Sequence, residues 1–157
     1  MDREFPGTMT RVELNRQLLR VLQEVGFVLS DQYFDGRRGY DKLSNRQFIQ
    51  NSNELDLNRT FVVEMNAENS NEERDRLTEA LRETVNVRLL HFLPPHEQQD
   101  GWFIAYSDEE KVREVLLLKT NFPLCRVRHV RSTHLPVAEY NYLITEIVFT
   151  ITHHVRI

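Results

Sequence analysis

The sequence predicts an α+β domain, and three observations predict it. Near the start, Leu14, Leu18, Val21, Leu22 and Val25 recur on one helical stripe. From residue 59 onward, apolar periods near two and near 3.6 follow one another in a definite order. The tail, Glu139 to Ile157, puts Leu143, Thr145, Ile147, Phe149 and Ile151 on one parity, the alternation of a half-buried strand. A length of 157 residues, 40% of them hydrophobic and 28% charged, suits one globular domain, and 10% aromatic residues supply large side chains for its core.

Each element has a local cause. Thr10 and Glu13 form a capping box, in which the hydroxyl takes an orphan amide and the carboxylate reaches back; it starts a helix over 11–25 that Gly26 closes. Phe27 to Leu29 suits a short strand, Asp35-Gly36 followed by Arg37, Arg38 and Gly39 a turn, and Ser44 to Gln47 the cap of a short helix. Asn51 to Asn53 reads as loop, and a boundary near Asn58 makes 1–57 a helical extension packed on the core. Thr60 to Met65 is rich in strand formers. Ser70 and Glu73 form a second capping box before the stripe Leu77, Ala80, Leu81 and Val85, so a helix is expected there. Val87 to Leu93 is a second strand, stopped by Pro94-Pro95, and Gly101 to Tyr106 is a third. Ser107 and Glu110 offer a third capping box, with Asp108, Glu109 and Glu110 placed where a helix dipole is positive. Val112, Val115 and Leu116 supply that helix's stripe, Asn121 to Pro123 ends it, and Leu124 to Val130 is a fourth strand.

Over 58–131 the expected order is therefore β-α-β-β-α-β. Such an order closes into a ferredoxin-like sandwich, a four-stranded antiparallel sheet with two helices on one face. Residues 132–157 are then a C-terminal β extension, with a helix over 138–149 as the competing reading.

Composition excludes several classes of function. Lys and Arg sum to 20 against 24 for Asp and Glu, a formal charge of −4, and no basic block stands ready to grip DNA by charge alone. Apolar runs such as Val115 to Leu118 fall far short of the roughly 20 residues of a membrane span, and residues 1–15 lack the apolar stretch of a secretory signal. Cys125 stands alone, so no intrachain disulfide can form, and a reducing cytoplasmic or nuclear setting is expected.

The wording of 59–131 resembles the RNA recognition motif family, through Phe103-Ile-Ala-Tyr106 ahead of Ser107-Asp-Glu-Glu110 and through Thr60-Phe-Val-Val-Glu-Met65 on the first strand. The resemblance covers about half the chain. It implies that Phe103 and Phe61 occupy base-stacking positions on a sheet. The pattern departs at Gln99, Asp100 and Gly101, which stand where that family has a basic residue, a glycine and a second aromatic. Strand parity adds its own reading: Trp102, Ile104 and Tyr106 face the helices with Phe103 and Ala105 outward, and Phe61, Val63 and Met65 form the more apolar set of the first strand. Taken literally, the family alignment instead turns Phe61 outward and Glu64 inward. Arg126 and Arg128 share one surface of the fourth strand, with Arg88 on the second, and suit phosphate; equally, charges on an edge strand discourage aggregation.

Little points to catalysis. His153 and His154 are the one close histidine pair, but neighbours on a strand face opposite ways and do not chelate one metal. No phosphate loop, nucleophile elbow, dinucleotide fingerprint or zinc-protease motif occurs, and neither a cofactor nor a metal is expected. A ferredoxin-like enzyme would need one pocket to gather His129, His153 and Cys125. The expected function is a non-catalytic interaction module or scaffold. It would act mainly through contacts with a protein partner or a second copy of itself, in a complex where RNA is an additional candidate. The alternative is direct single-stranded RNA binding through the sheet face, using Phe103, Phe61, Arg126, Arg128 and Arg88.

Overall fold

The computed structural model describes residues 7–29, 58–69, 78–93, 95–96, 98–137 and 141–156. The turn expected over 35–39, the short helix after Ser44 and the Ser70–Glu73 capping box lie outside these residues. Helix α1 spans Arg11–Glu24, followed by a two-residue strand β1 (Val28–Leu29), then β2 (Thr60–Asn69) and β3 (Thr78–Phe92). Helix α2 (Gln98–Leu117) and a 3₁₀ turn (Lys119–Asn121) lead to β4 (Arg126–Val137) and β5 (Tyr142–Arg156). The strands form one sheet in the order β1-β2-β3-β5-β4. Among the described residues β1 with β2 is the one parallel pair; the four long strands run antiparallel.

The architecture is α+β, but its elements do not follow the expected β-α-β-β-α-β order. Two segments change type. The helix expected after Ser70 is strand over its described part: Leu81, Glu83, Val85, Val87 and Leu89 alternate toward the helices and are all buried. Their period of two is masked in sequence by the charge at Glu83, so the chance spacing of Ala80, Leu81 and Val85 suggests a helix instead. The strand expected over 101–106 is the first half of α2. That helix buries Gly101, Ala105, Asp108, Val112 and Leu116, a 3.6-residue stripe whose upper part consists of two small residues and an acid. Packing thus overrides the strand preference of Trp102, Phe103 and Ile104. Gly101 is required by close approach: a Cβ there would lie 2.7 Å from Leu93 Cδ2 and 3.2 Å from the Phe92 carbonyl oxygen. Because the helix begins at Gln98, the Ser107–Glu110 box falls in its interior and caps nothing.

Other elements form as their sequence predicts. Thr10 Oγ1 accepts from Glu13 N at 3.1 Å while Glu13 Oε1 accepts from Thr10 N at 2.9 Å, and those bonds hold the Glu13 carboxyl below its ordinary value. Gly26 takes φ +104° just past Val25, a conformation open to glycine at little cost. The tail is strand, not helix. It is also no appendage: β5 lies between β3 and β4, paired with β3 from Tyr142 to Arg156. It is central, so its helix-facing residues Ile147, Phe149 and Ile151 are buried.

Both helices cover the same face of the sheet. Leu14, Leu18, Val21 and Leu22 of α1 and Val112 and Leu116 of α2 share one apolar cluster with Phe61, Val63, Val87 and Phe149. The stripe of α1 is therefore intramolecular core. Each fully buried large side chain contributes roughly 1.5–3 kcal/mol through removal of apolar area from water. Phe149→Ala should lower unfolding free energy by about 3–5 kcal/mol in denaturant titration. Gly26→Ala, which forces a Cβ into positive φ, should cost only about 1 kcal/mol.

Candidate functional site

The expected RNA-contacting residues are dispersed. Phe61 is fully buried on the helix-facing side of β2, as strand parity favours and the literal family alignment does not. It cannot stack a base. Phe103 is 56% exposed, but it projects from α2 and not from a strand, because 101–106 is helical. Arg88 lies on the open face of β3 between acids: its Nε is 3.3 Å from Glu146 Oε2, and a guanidinium nitrogen is 3.9 Å from Glu64 Oε1. Those carboxylates offset its charge. Arg126 and Arg128 are exposed on the open face of β4, directly across from Thr152 and Thr150 of β5. Of the five expected residues, these two alone stand together in solvent.

Strand β4 has a free side. Among the described residues it is the last strand of the sheet, hydrogen-bonded only to β5. A register shift between His129 and Arg131 bulges Val130 outward, and Val130 and Leu135 are each about half exposed. On the helix-facing side of the same strand, His134 Nε2 meets Glu109 Oε1 at 2.7 Å and packs against Tyr106 and Trp102 at ring-centroid distances of 5.3 and 6.1 Å. Next to them Phe103, Ile104 and Tyr106 are exposed, so an aromatic surface adjoins the open edge.

Two buried ionic clusters were not visible in the sequence. Asp108, mid-helix on α2, accepts a fork from Arg59, with Nε and Nη2 each at 2.9 Å, and a third bond from His91 Nε2 at 2.7 Å. Burial works to raise the Asp108 carboxyl, but the bonds from His91 and Arg59 outweigh it and hold the group below its ordinary value. Arg59 has φ 60°, an uncommon conformation for a side-chain-bearing residue, and the fork helps offset that strain. His91 Nδ1 is buried with no hydrogen-bond partner among the described residues, and the ring helps line a cavity of about 130 Å³ with Arg59, Asp100, Gly101 and Ile104. At the other end of the sheet, Glu83 Oε2 is 2.9 Å from Arg11 Nε and 3.0 Å from His153 Nε2, while His153 Nδ1 lies 2.6 Å from the Met9 carbonyl oxygen. Both ring nitrogens of His153 are thus engaged, one by a carboxylate and one by a backbone carbonyl.

These clusters reassign several expected roles. Asp108 and Glu109 are side-chain partners of the sheet, not dipole caps. Cys125 and His153 both touch Met9, through its sulfur at 3.8 Å and its carbonyl, but His129 bonds Ser132 Oγ further up β4. The three do not form one polar group. Burial pushes the Cys125 thiol up to about 11, so it is a protonated, poorly nucleophilic thiol at neutral pH. His153 faces the helices and His154 the opposite way, as strand parity requires. Among the described residues no three His, Cys, Asp or Glu side chains gather closely enough to hold a metal ion, and no helix is long and apolar enough to cross a membrane.

The Asp108 cluster has a pH signature. The folded-state carboxyl titrates below the ordinary value of 3.8, so its pairing stabilises fully above that pH and is lost as pH falls through the folded value. Asp108→Asn should flatten the acid limb of a stability–pH curve measured between about pH 6 and 2. At neutral pH Asp108→Ala should cost about 3–5 kcal/mol, since it leaves His91 and Arg59 without their acceptor.

No protein-family model matches the chain, and no curated protein matches it.

Proposed function

We propose that this chain is a non-catalytic protein-interaction module that receives an extended, acidic segment of a partner along β4. The observation that carries this reading is that, among the described residues, this strand pairs with β5 alone, which leaves the backbone donors and acceptors of its other side outside the ladder. Strand addition to such an edge supplies main-chain hydrogen bonds, and the side chains at alternate positions supply selectivity. Arg126, Arg128 and Arg131 are exposed along the edge and favour an acidic segment; Val130 and Leu135 offer apolar contacts beside them. The bulge at Val130 and the missing amide of Pro136 limit continuous pairing to a short strand, which favours a dedicated partner over open-ended aggregation. The exposed aromatic surface of Phe103 and Tyr106 extends the same contact area onto α2.

Single-stranded RNA across the open face is the second reading, supported by Arg126 and Arg128 on that face. The coarse part of the resemblance to RNA recognition motifs supports it too: an antiparallel sheet keeps both helices on one side. Against it, Phe61 and Phe103 are absent from the open face, so base stacking loses its expected rings.

The two readings separate in one experiment on the full chain, titrated with an eight-residue peptide of alternating Glu and Val and with an eight-residue oligouridylate. Strand addition predicts that the peptide protects amides of 126–137 from hydrogen exchange and that R126E/R128E weakens it at least tenfold. Protection of that strand by oligouridylate alone would establish the RNA reading in its place, and protection by neither would refute both.

A further inference from the structure

The first residues of β4, the last of β5, the 3₁₀ turn and the segment before α1 line a half-open cavity of about 310 Å³. Among the described residues its lining is one-sided in charge: it includes Lys119, Arg126, His154 and Thr152, and no Asp or Glu. Elsewhere in the fold Arg11, Arg59 and Arg88 are matched to acids, Glu83, Asp108 and Glu146. Lys119 and Arg126 have no such partner among the described residues. Cys125, which also lines it, adds no negative charge at neutral pH because burial keeps it a thiol. Pro123, Leu124 and Gly7 complete an uncharged wall. A volume near the lower end of small-ligand sites, around 300 Å³, holds more than a bare ion.

We propose that this cavity binds the phosphate group of a small phosphorylated metabolite, with Lys119 and Arg126 as the charged contacts and Thr152 and His154 as hydrogen-bonding ones. Two cations on the rim of one cavity suit a phosphate monoester, whose charge approaches −2 at neutral pH and whose three oxygens accept charge-assisted hydrogen bonds. The site shares Arg126 with the edge proposed for strand addition, but Lys119 lies off that edge and Arg128 outside the cavity lining, so Lys119→Gln and Arg128→Gln tell the two apart.

Calorimetric titration of the full chain with inorganic phosphate, adenosine 5′-monophosphate and adenosine tests the proposal. Phosphate and the monophosphate should bind saturably with one site, and adenosine should not. Lys119→Gln and Arg126→Gln should each weaken the monophosphate at least tenfold, whereas Lys111→Gln, which removes the same charge from an exposed position on α2, should leave its affinity unchanged. Absence of saturable binding would overturn the site, and so would equal losses in all three variants, because binding would then follow net charge and not the cavity. A 5′-phosphorylated oligouridylate distinguishes the source of the phosphate. Competition with the monophosphate that depends on its 5′-phosphate supports the site with an RNA end as a further ligand; competition that persists with a 5′-hydroxyl overturns the monoester assignment.

Discussion

Two buried carboxylates fix how the helices sit on the sheet. Glu83 of β3 holds Arg11 at the start of α1 and His153 of β5; Asp108 of α2 holds Arg59 at the start of β2 and His91 of β3. Glu83 and His91 are eight residues apart on one strand, about 26 Å at the usual strand rise, so each helix is pinned near an opposite end of the same sheet face. Apolar contacts between them tolerate sliding far better than a forked guanidinium does, because burial area changes gradually while a hydrogen bond is lost within an ångström. A shift of α2 by one turn would strand a buried charge, which costs several kcal/mol. The ionic clusters therefore select one packing among several that the apolar stripe alone would permit.

Both helices are committed to one face. The opposite face divides along its length, and only part of it is left for binding. Toward the Tyr142 end Val62, Leu90, Ile144 and Val148 are buried, whereas toward the Arg156 end Arg82, Arg126 and Arg128 alternate with Thr150 and Thr152. Net charge is −4 for the whole chain, so this cationic end is a local arrangement with more acidic surface elsewhere. Strand order produces it. By placing β5 centrally, the sheet brings the segment carrying Lys119, Cys125 and Arg126 beside Thr152 and His154, which lie far along the sequence from it.

The places where sequence periodicity misleads are the places where a polar residue is buried. Glu83 interrupts the alternation of β3, and Asp108, with the small residues Gly101 and Ala105, conceals the stripe of α2. A pattern argument scores charge as exposed, and in both segments the charge is internal because a partner from another element neutralises it. The resemblance to RNA recognition motifs arises from the same segment: Phe103-Ile-Ala-Tyr106 carries strand-forming residues in a helix whose buried side is formed by their small neighbours. Of the candidate site, Arg126 and Arg128 were legible as a same-face pair. Lys119, Thr152 and His154 were not, since no local motif connects a 3₁₀ turn to the end of β5.

Local chemistry by itself determined the parts of this protein that need no distant partner. The Thr10–Glu13 box and Gly26 bound α1, its leucine and valine stripe defines a buried side, and the alternation from Leu143 to Ile151 makes β5 a strand. Tertiary structure alone decided that residues 101–106 coil, that 78–85 extend, and that the last strand lies inside the sheet and not beside it. The physical reason is the range of the forces involved. Caps and periodicity act within a few residues, whereas the placement of Glu83 and Asp108 depends on cations 72 and 49 positions away in the chain, which meet them only once the sheet has formed.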